Sequence, residues 1–342
     1  MLKTSRQTSN KHLTRFKVSQ LAYITFDRYT TLTGERMDLK LSYKSFGLPL
    51  GSAPVVLVNH SLTGNADVTG ENGWWSELIG DGKVIDTQQY TIIAFNFPGN
   101  GVDNDVIEHY DHLVLRDVAN LFKEALDHLG VDRLYAAIGG SIGGALIWEM
   151  GASFPDLIEN LIPIACDWKT SDWVLANTLL QDRILHNSKN PLYDARIHAM
   201  MCYRTPESFK TRFGRSVHEE KGVFNIDSWL LYHGEKLNNR FLLQAYKLMN
   251  HLLRTIDITE GRGSFEEVAS QIKGSVYLIS IDTDLFFTDA ENRETYKKLM
   301  EKKANLHYHT ISSVHGHDAF LIEYDQLKTI LSPLFTNIKT QS

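Results

Sequence analysis

The chain has 342 residues, of which 43% are hydrophobic and 11% aromatic, and its formal net charge is −6. This composition is typical of a globular protein with a large apolar core and excludes a disordered chain. The basic residues are scattered along the sequence, which argues against a nucleic-acid-binding surface.

The N-terminal segment MLKTSRQTSNKHLTRFK is basic, rich in hydroxyl side chains and free of acidic residues. Transit peptides share this composition with disordered tails, and the segment lacks the apolar region of a secretion signal. We therefore expect a disordered tail over residues 1–17 and a cytoplasmic protein. No stretch of the chain reaches the ~18 consecutive apolar residues that a membrane helix needs.

Eight short apolar runs predict strands: QLAYITF, DLKLSYKSFG, PVVLVNH, YTIIAFNF, LYAAIGG, NLIPIA, SVYLISI and NLHYHTI. Several are continuously apolar, which is typical of strands buried on both faces. A helical pattern precedes LYAAIGG, with apolar residues at i, i+3 and i+4 from Val118 to Leu129 and a stop at Gly130. The alternation predicts a mostly parallel central sheet flanked by helices.

This alternation breaks between residues 168 and 261. The stretch contains segments such as SWLLYHGEKLNNRFLLQAYKLMNHLLRTI, whose periodicity favours helices. Because strands resume at SVYLISI, we predict a helical lid over residues 168–261, inserted into a core formed by residues 18–167 and 262–342.

A single serine, Ser141, lies among glycines in AAIGGSIGG. The GxSxG pattern between a strand and a helix predicts the nucleophile elbow of α/β-hydrolases, because a sharp turn with crowded backbone needs neighbours without side chains. The turn would expose the Ser141 hydroxyl and direct the backbone N–H of Ile142 towards a developing oxyanion. Neither GxGxxG nor GxxxxGK occurs, which argues against a nucleotide site. A tight structural turn is the alternative.

A serine nucleophile needs a base and an acid, which follow it in the order acid, then histidine. We predict His317 as the base rather than His315, because the apolar AFLI segment that follows would anchor its loop. Asp284 is the predicted acid, since the LFF segment after it could shield a carboxylate, and Asp282 is the second choice. Either aspartate could instead cap the next helix.

The loop VNHSLTGNADV follows the predicted strand PVVLV and is placed to complete the oxyanion hole. We predict the backbone N–H of Leu62 as the second donor, with Gly64 allowing the loop to turn near the serine. A loop without chemistry is the alternative.

Together the segments NHSLTG, GWWSELIG, FNFPGNG, IGGSIGG, ARIHAMMCYRTPESFKTRFGR, DTDLFF and GHDAFL resemble the homoserine O-acetyltransferases of methionine biosynthesis, from about Asp38 to Ile322. The resemblance implies an α/β-hydrolase fold with a helical lid. It implies catalytic Ser141, Asp284 and His317, with Leu62 and Ile142 as oxyanion donors. It also implies that Arg196 and Tyr203 line the active site and that Asp318 faces the amino group of the acceptor.

The spacing and charges of the lid residues also support these roles without the resemblance. Arg196 and Tyr203 are seven residues apart, so on a helix both would lie on nearly the same face. An amino-acid acceptor offers a carboxylate for Arg196 and an amine for Asp318. Alternatively, Arg196 is a surface salt-bridge partner.

The sequence departs from the family pattern at three positions. Ser61 stands where alanine is common, Ile142 where methionine or leucine is common, and Thr288 where proline is common. The FNFPGNGVDN loop is also short. Backbone roles tolerate these changes, but the preferences for donor and acceptor do not transfer from the resemblance.

We therefore expect acetyl transfer from acetyl-CoA to the hydroxyl of L-homoserine by a ping-pong route, in a homodimer without bound cofactor or metal. Succinyl-CoA and L-serine remain open as alternative substrates, since one methylene changes binding by only ~1–3 kcal/mol. A serine esterase or thioesterase and a binding protein without catalysis also remain open. The only cysteines, Cys166 and Cys202, are expected to be reduced thiols.

Overall fold

The computed structural model describes residues 20–335. The predicted tail over residues 1–17 lies outside the described residues. Within residues 20–335 the strands are Ala22–Thr30 (β1), Arg36–Gly47 (β2), Val55–Asn59 (β3), Ile79–Gly80 (β4), Ile85–Asp86 (β5), Thr91–Phe95 (β6), Leu134–Gly140 (β7), Ile158–Ile164 (β8), Ser275–Ile281 (β9) and Leu306–Ile311 (β10).

Eight of these strands form one sheet in the order β1-β2-β6-β3-β7-β8-β9-β10, and β4 pairs with β5 in a separate ribbon. The pairs β1–β2 and β2–β6 are antiparallel, and the remaining pairs of the large sheet are parallel. The predicted mostly parallel sheet is therefore confirmed. All residues of β3 and β6 are buried, as expected for strands covered on both faces.

The helices are Leu115–His128 (α1), Ile142–Ser153 (α2), Asp172–Asn187 (α3), Pro191–Tyr203 (α4), Pro206–Phe213 (α5), Asn225–Asn238 (α6), Leu243–Arg254 (α7), Phe265–Ala269 (α8), Asp289–Met300 (α9) and Tyr324–Phe335 (α10). Six helices, α3 to α8, lie between β8 and β9, and the first five of them fall within residues 168–261, where the sequence predicts the lid. Prolines begin α4 and α5, at the first-turn position where the missing N–H costs nothing. None of the helices within residues 20–335 combines the length and the apolar character that a bilayer-spanning segment requires.

The helix after the central strand packs directly on the sheet. A Cβ atom added to Gly143 in α2 would lie 2.7 Å from the carbonyl oxygens of Asn59 and His60. Only glycine permits this approach, since real Cβ atoms essentially never come so close to a backbone oxygen. The contact brings the loop after β3 next to the start of α2, and both belong to the predicted active site.

Candidate active site

Ser141 occupies the turn between β7 and α2. Its backbone angles are φ 59° and ψ −132°, a conformation that is strained for a residue with a side chain. The Ser141 N–H donates to the carbonyl of Ile164 over 2.9 Å, which ties the turn to the neighbouring strand. Strain of this kind recurs at functional sites, where the surrounding structure holds it in place.

The structure brings His317 and Asp284 together. The Nδ1–H of His317 donates to a carboxylate oxygen of Asp284 over 2.7 Å. The other oxygen of Asp284 accepts the backbone N–H groups of Phe286 at 2.7 Å and Phe287 at 3.1 Å. Both side chains are buried, and the hydrogen bonds fix the carboxylate so that it orients the imidazole.

The alternative residues lie in other contacts. Asp282 accepts hydrogen bonds from the hydroxyl of Ser312 and the N–H of Ser313, and so braces the loop after β10. His315 accepts from Arg204 over 3.2 Å instead of facing an aspartate. The structure thus pairs His317 with Asp284, the first choices from the sequence.

One cavity of about 60 Å³ is lined by six of the eight predicted site residues, the exceptions being Ile142 and Asp284. It is lined by Ser61, Leu62, Thr63, Ser141, Arg196, Tyr203, His317, Asp318, Phe320 and Leu321. The nucleophile and base candidates therefore line the same cavity as the predicted acceptor-binding residues.

The two predicted oxyanion donors belong to the start of α2 and to the loop after β3. Ile142 is the first residue of α2, so its N–H has no acceptor within the helix. Leu62 lies buried in the loop after β3 and lines the Ser141 cavity. Asn59 donates from Nδ2 to the Gly143 carbonyl over 3.2 Å, which holds the loop against α2.

The lid contributes a cation and a phenol. The Arg196 guanidinium lies 6.0 Å from the centre of the Tyr203 ring, at the limit of a cation–π contact. The Tyr203 ring in turn lies 5.3 Å from the His317 ring. Burial raises the pKa of Tyr203 well above its ordinary value, so the phenol stays protonated and able to donate.

Two further arginines were missed from the sequence. Arg204 donates from Nε to Asp318 over 2.9 Å, and both side chains are largely buried. Arg240 donates to the Thr63 carbonyl over 3.0 Å, and burial together with the charge of Arg196 lowers its pKa. Arg204 directly follows Tyr203 in the CYRTPE segment. This position next to a predicted site residue was the only feature of the sequence that pointed to Arg204.

This arrangement can perform nucleophilic acyl chemistry. A hydroxyl, an imidazole oriented by a carboxylate and two backbone donors are the groups that acyl transfer through serine requires. Arg196 and Asp318 add one positive and one negative group, which match the two charges of an amino acid. Within residues 20–335, no three side chains among His, Cys, Asp and Glu are grouped to hold a metal ion.

Comparison with known proteins identifies the α/β-hydrolase fold and similarity to homoserine O-acetyltransferases. A family model described as the alpha/beta hydrolase fold matches residues 54–324. The chain is 32% identical to a homoserine O-acetyltransferase of Cyclobacterium marinum, over 95% of this chain and 97% of that protein. Among solved structures, a homoserine O-acetyltransferase from Bacillus anthracis superposes with a TM-score of 0.82 at 18% identity, covering 94% of this chain and 98% of that one. Esterase E22 also superposes with a TM-score of 0.82 at 18% identity, covering 93% of this chain and 100% of that one.

Proposed function

Because the chain belongs to the homoserine O-acetyltransferase family within the α/β-hydrolase fold, we propose that it transfers an acetyl group from acetyl-CoA to the side-chain hydroxyl of L-homoserine. The observation that carries the proposal is that Arg196 and Asp318 both line the Ser141 cavity. An esterase of apolar substrates needs neither charge, whereas an amino-acid acceptor engages both.

In the first half-reaction, the Ser141 hydroxyl attacks the thioester carbonyl while His317 takes its proton. The carbonyl oxygen becomes an oxyanion held by the N–H groups of Leu62 and Ile142. When the tetrahedral intermediate collapses, the carbon–sulfur bond breaks. His317 returns the proton to the departing CoA thiolate, which leaves an acetyl ester on Ser141. Asp284 stabilises the imidazolium form of His317 in both proton transfers.

In the second half-reaction, Arg196 binds the homoserine carboxylate and Asp318 binds its ammonium group. His317 then deprotonates the homoserine hydroxyl, which attacks the acetyl carbonyl. The ester bond to Ser141 breaks, its oxygen regains the proton from His317, and O-acetylhomoserine leaves. The donor product departs before the acceptor reacts, so the kinetics are ping-pong. Acetyl-CoA is a co-substrate, and the proposal includes no bound cofactor or metal.

The charges at the Ser141 cavity support a neutral acyl group. Succinyl would bring a second carboxylate, whereas Arg196, which lines this cavity, is assigned to the carboxylate of the acceptor. Two neighbouring arginines are engaged elsewhere, since Arg204 is bonded to Asp318 and Arg240 to the loop carbonyl of Thr63.

The experiment is thiol release from acetyl-CoA or succinyl-CoA by purified enzyme, with homoserine, serine or no acceptor. Fast release with acetyl-CoA and homoserine, yielding O-acetylhomoserine, supports the proposal. Release that is equally fast without an acceptor identifies a thioesterase instead. Faster release with succinyl-CoA or serine would overturn the donor or the acceptor assignment, respectively.

We also propose that the enzyme works in the cytoplasm as a homodimer. Both described cysteines are free thiols, which suits a reducing compartment. Exposed apolar side chains on the lid helices support a dimer contact there, including Leu179, Leu180, Met201, Leu231 and Tyr232. Sedimentation analysis of the wild-type protein and a Leu180→Asp variant tests it, and a monomeric wild type would refute the dimer.

A further inference from the structure

His60 precedes the predicted oxyanion donor by two residues, yet no role has been assigned to it. Its side chain is 1% exposed. Nδ1 lies 2.7 Å from the Ser61 carbonyl oxygen. Nε2 lies 3.1 Å from the backbone nitrogen of Phe97 and 3.2 Å from Nδ2 of Asn100. Both ring nitrogens are thus engaged, one on the oxyanion loop and one on the loop after β6.

These partners determine the tautomer of the ring. A carbonyl only accepts, so Nδ1 must carry a proton and donate it to Ser61. A backbone N–H only donates, so Nε2 must be unprotonated and accept from Phe97. Asn100 agrees with this assignment, because its Oδ1 accepts from the Val102 N–H and so directs its amide nitrogen at the ring. Burial lowers the pKa of His60 to about 4, which keeps the ring neutral near pH 7.

The Ser61 carbonyl accepts from the His60 ring and from the Gly64 N–H over 2.9 Å, and these two bonds fix the orientation of the next N–H group. The Ser61 carbonyl and the Leu62 N–H belong to one planar trans peptide unit, so they point in opposite directions. A ring bound to the carbonyl therefore directs the Leu62 N–H away from itself, and Leu62 lines the cavity that holds Ser141.

The same loop is packed and tethered on both sides of this unit. A Cβ atom on Gly64 would lie 2.8 Å from the His60 Cβ, so the loop folds directly over the ring. Arg240 binds the carbonyl of the following residue, Thr63. Two side chains therefore hold the loop, His60 at the Ser61 carbonyl and Arg240 at the Thr63 carbonyl.

We propose that His60 is a positioning residue that locks the Ser61–Leu62 peptide so that the Leu62 N–H is directed at the acyl carbonyl oxygen on Ser141. This inference rests on the proposed function, since it requires acyl-serine chemistry. Donors fixed before the reaction need no reorganisation when the oxyanion forms. Loss of the lock lets the peptide rotate, and the donor then has to be reoriented in every turnover.

Two variants separate the two ring nitrogens. His60→Asn places an amide nitrogen near the position of Nδ1, where it can still donate to the Ser61 carbonyl. His60→Gln places an amide oxygen near the position of Nε2, where it can accept from Phe97, but it removes the ring donor and leaves the Ser61 carbonyl with the Gly64 N–H alone. Leu331→Ala, at a buried site in α10, is the control for lost stability because it removes core packing away from the loop.

The readout is the first-turnover burst with p-nitrophenyl acetate, which acylates Ser141 whether homoserine or water accepts the acetyl group. We expect His60→Gln to lower the acylation rate constant ~10-fold to ~100-fold at an unchanged KM, somewhat less than complete loss of an oxyanion donor. We expect His60→Asn to stay within about fivefold of wild type, and Leu331→Ala to acylate normally despite its lower melting temperature.

Equal losses in His60→Asn and His60→Gln, or normal acylation by His60→Gln, would overturn the inference. If the variants do not fold, the ¹⁵N shifts of His60 in the wild-type protein decide, because a proton on Nε2 or a charged ring at pH 7 also overturns it. If wild-type protein forms no acyl-enzyme, the proposed function fails and this inference with it. If acylation is normal but homoserine is not acetylated, only the proposed function fails.

Discussion

Arg204 donates a 2.9 Å hydrogen bond from Nε to Oδ2 of Asp318, at the wall of the Ser141 cavity. The two residues are 114 positions apart in the sequence, and their largely buried pairing joins the end of α4 to the loop of the base. The bond engages Oδ2, which leaves Oδ1 for the ammonium group of an acceptor.

Replacing Arg204 should therefore affect the acceptor and spare the donor. We expect Arg204→Gln to raise the KM for homoserine by roughly 10-fold or more, because the Asp318 carboxylate loses a charge-assisted bond that fixes its direction. Arg204→Lys should recover part of the loss. Steady-state kinetics with varied homoserine measure the change, and the acylation burst with acetyl-CoA should be unchanged.

Arg183→Gln is the matched control, since Arg183 is an exposed arginine on α3 of the same lid. Its kinetics should equal those of wild type. A fall in acylation for Arg204→Gln with no change in the homoserine KM would contradict the assignment of Asp318 to the acceptor.

Continuous apolar runs were enough to predict the sheet, and for β7 and β9 the predicted strands LYAAIGG and SVYLISI match the observed ends. Ser141 was identified because the glycines around it in the local sequence allow the sharp turn that a nucleophile elbow requires. The ring of His60 and the guanidinium of Arg204 were missed because their partners are distant in sequence. Phe97 lies 37 residues from His60, and no local spacing records a contact of that kind. Local patterns therefore predicted the nucleophile, while the residues that support the site required the tertiary structure.

Arg196 should separate the two half-reactions. We expect Arg196→Ala to reduce transfer to homoserine ~30-fold to ~1000-fold, the cost of losing a bidentate charged contact to the acceptor carboxylate. Acylation of Ser141 by acetyl-CoA should continue, followed by slow hydrolysis. Rapid-quench acylation measured beside steady-state transfer tests this. A smaller burst with weaker apparent donor affinity would place Arg196 on a CoA phosphate instead.

The two aspartates after β9 should differ sharply. Asp284→Asn should lower kcat by ~10³-fold to ~10⁴-fold, because an amide no longer stabilises the imidazolium of His317 and can favour the wrong tautomer. Asp282→Asn should change kcat only slightly, since Asp282 braces Ser312 and Ser313. Comparison of kcat for the two variants at equal thermal stability checks this, and the reverse ranking would move the acid to Asp282.

Asp167, a buried acid that takes no part in the proposed reaction, should make the free energy of unfolding depend on pH. Burial raises the pKa of Asp167 from 3.8 to about 7, even though it accepts hydrogen bonds from Thr295 and Trp168 at 2.8 Å each. Between these two pKa values the folded chain binds a proton that the unfolded chain releases. Binding of this proton therefore stabilises the folded chain fully below about pH 4, and the stabilisation is lost as the pH rises through 7.

Denaturant unfolding of wild type and of Asp167→Asn at pH 5 and pH 8 tests this prediction. Wild type should lose ~2–3 kcal/mol more of its free energy of unfolding than Asp167→Asn over this interval. Asp132→Asn, at an exposed loop position, should follow the wild-type profile. Identical pH profiles for wild type and Asp167→Asn would contradict the buried titration.

The acyl-enzyme on Ser141 tests the central claim most directly. Enzyme mixed with acetyl-CoA alone is quenched and its peptides are analysed by mass spectrometry, and a parallel sample is chased with homoserine before quenching. We expect one acetyl group on Ser141 in the first sample, its loss in the second with an equal amount of O-acetylhomoserine, and no label in Ser141→Ala. Absence of acetyl-Ser141, or a chase that releases acetate in place of O-acetylhomoserine, would contradict the proposed transfer.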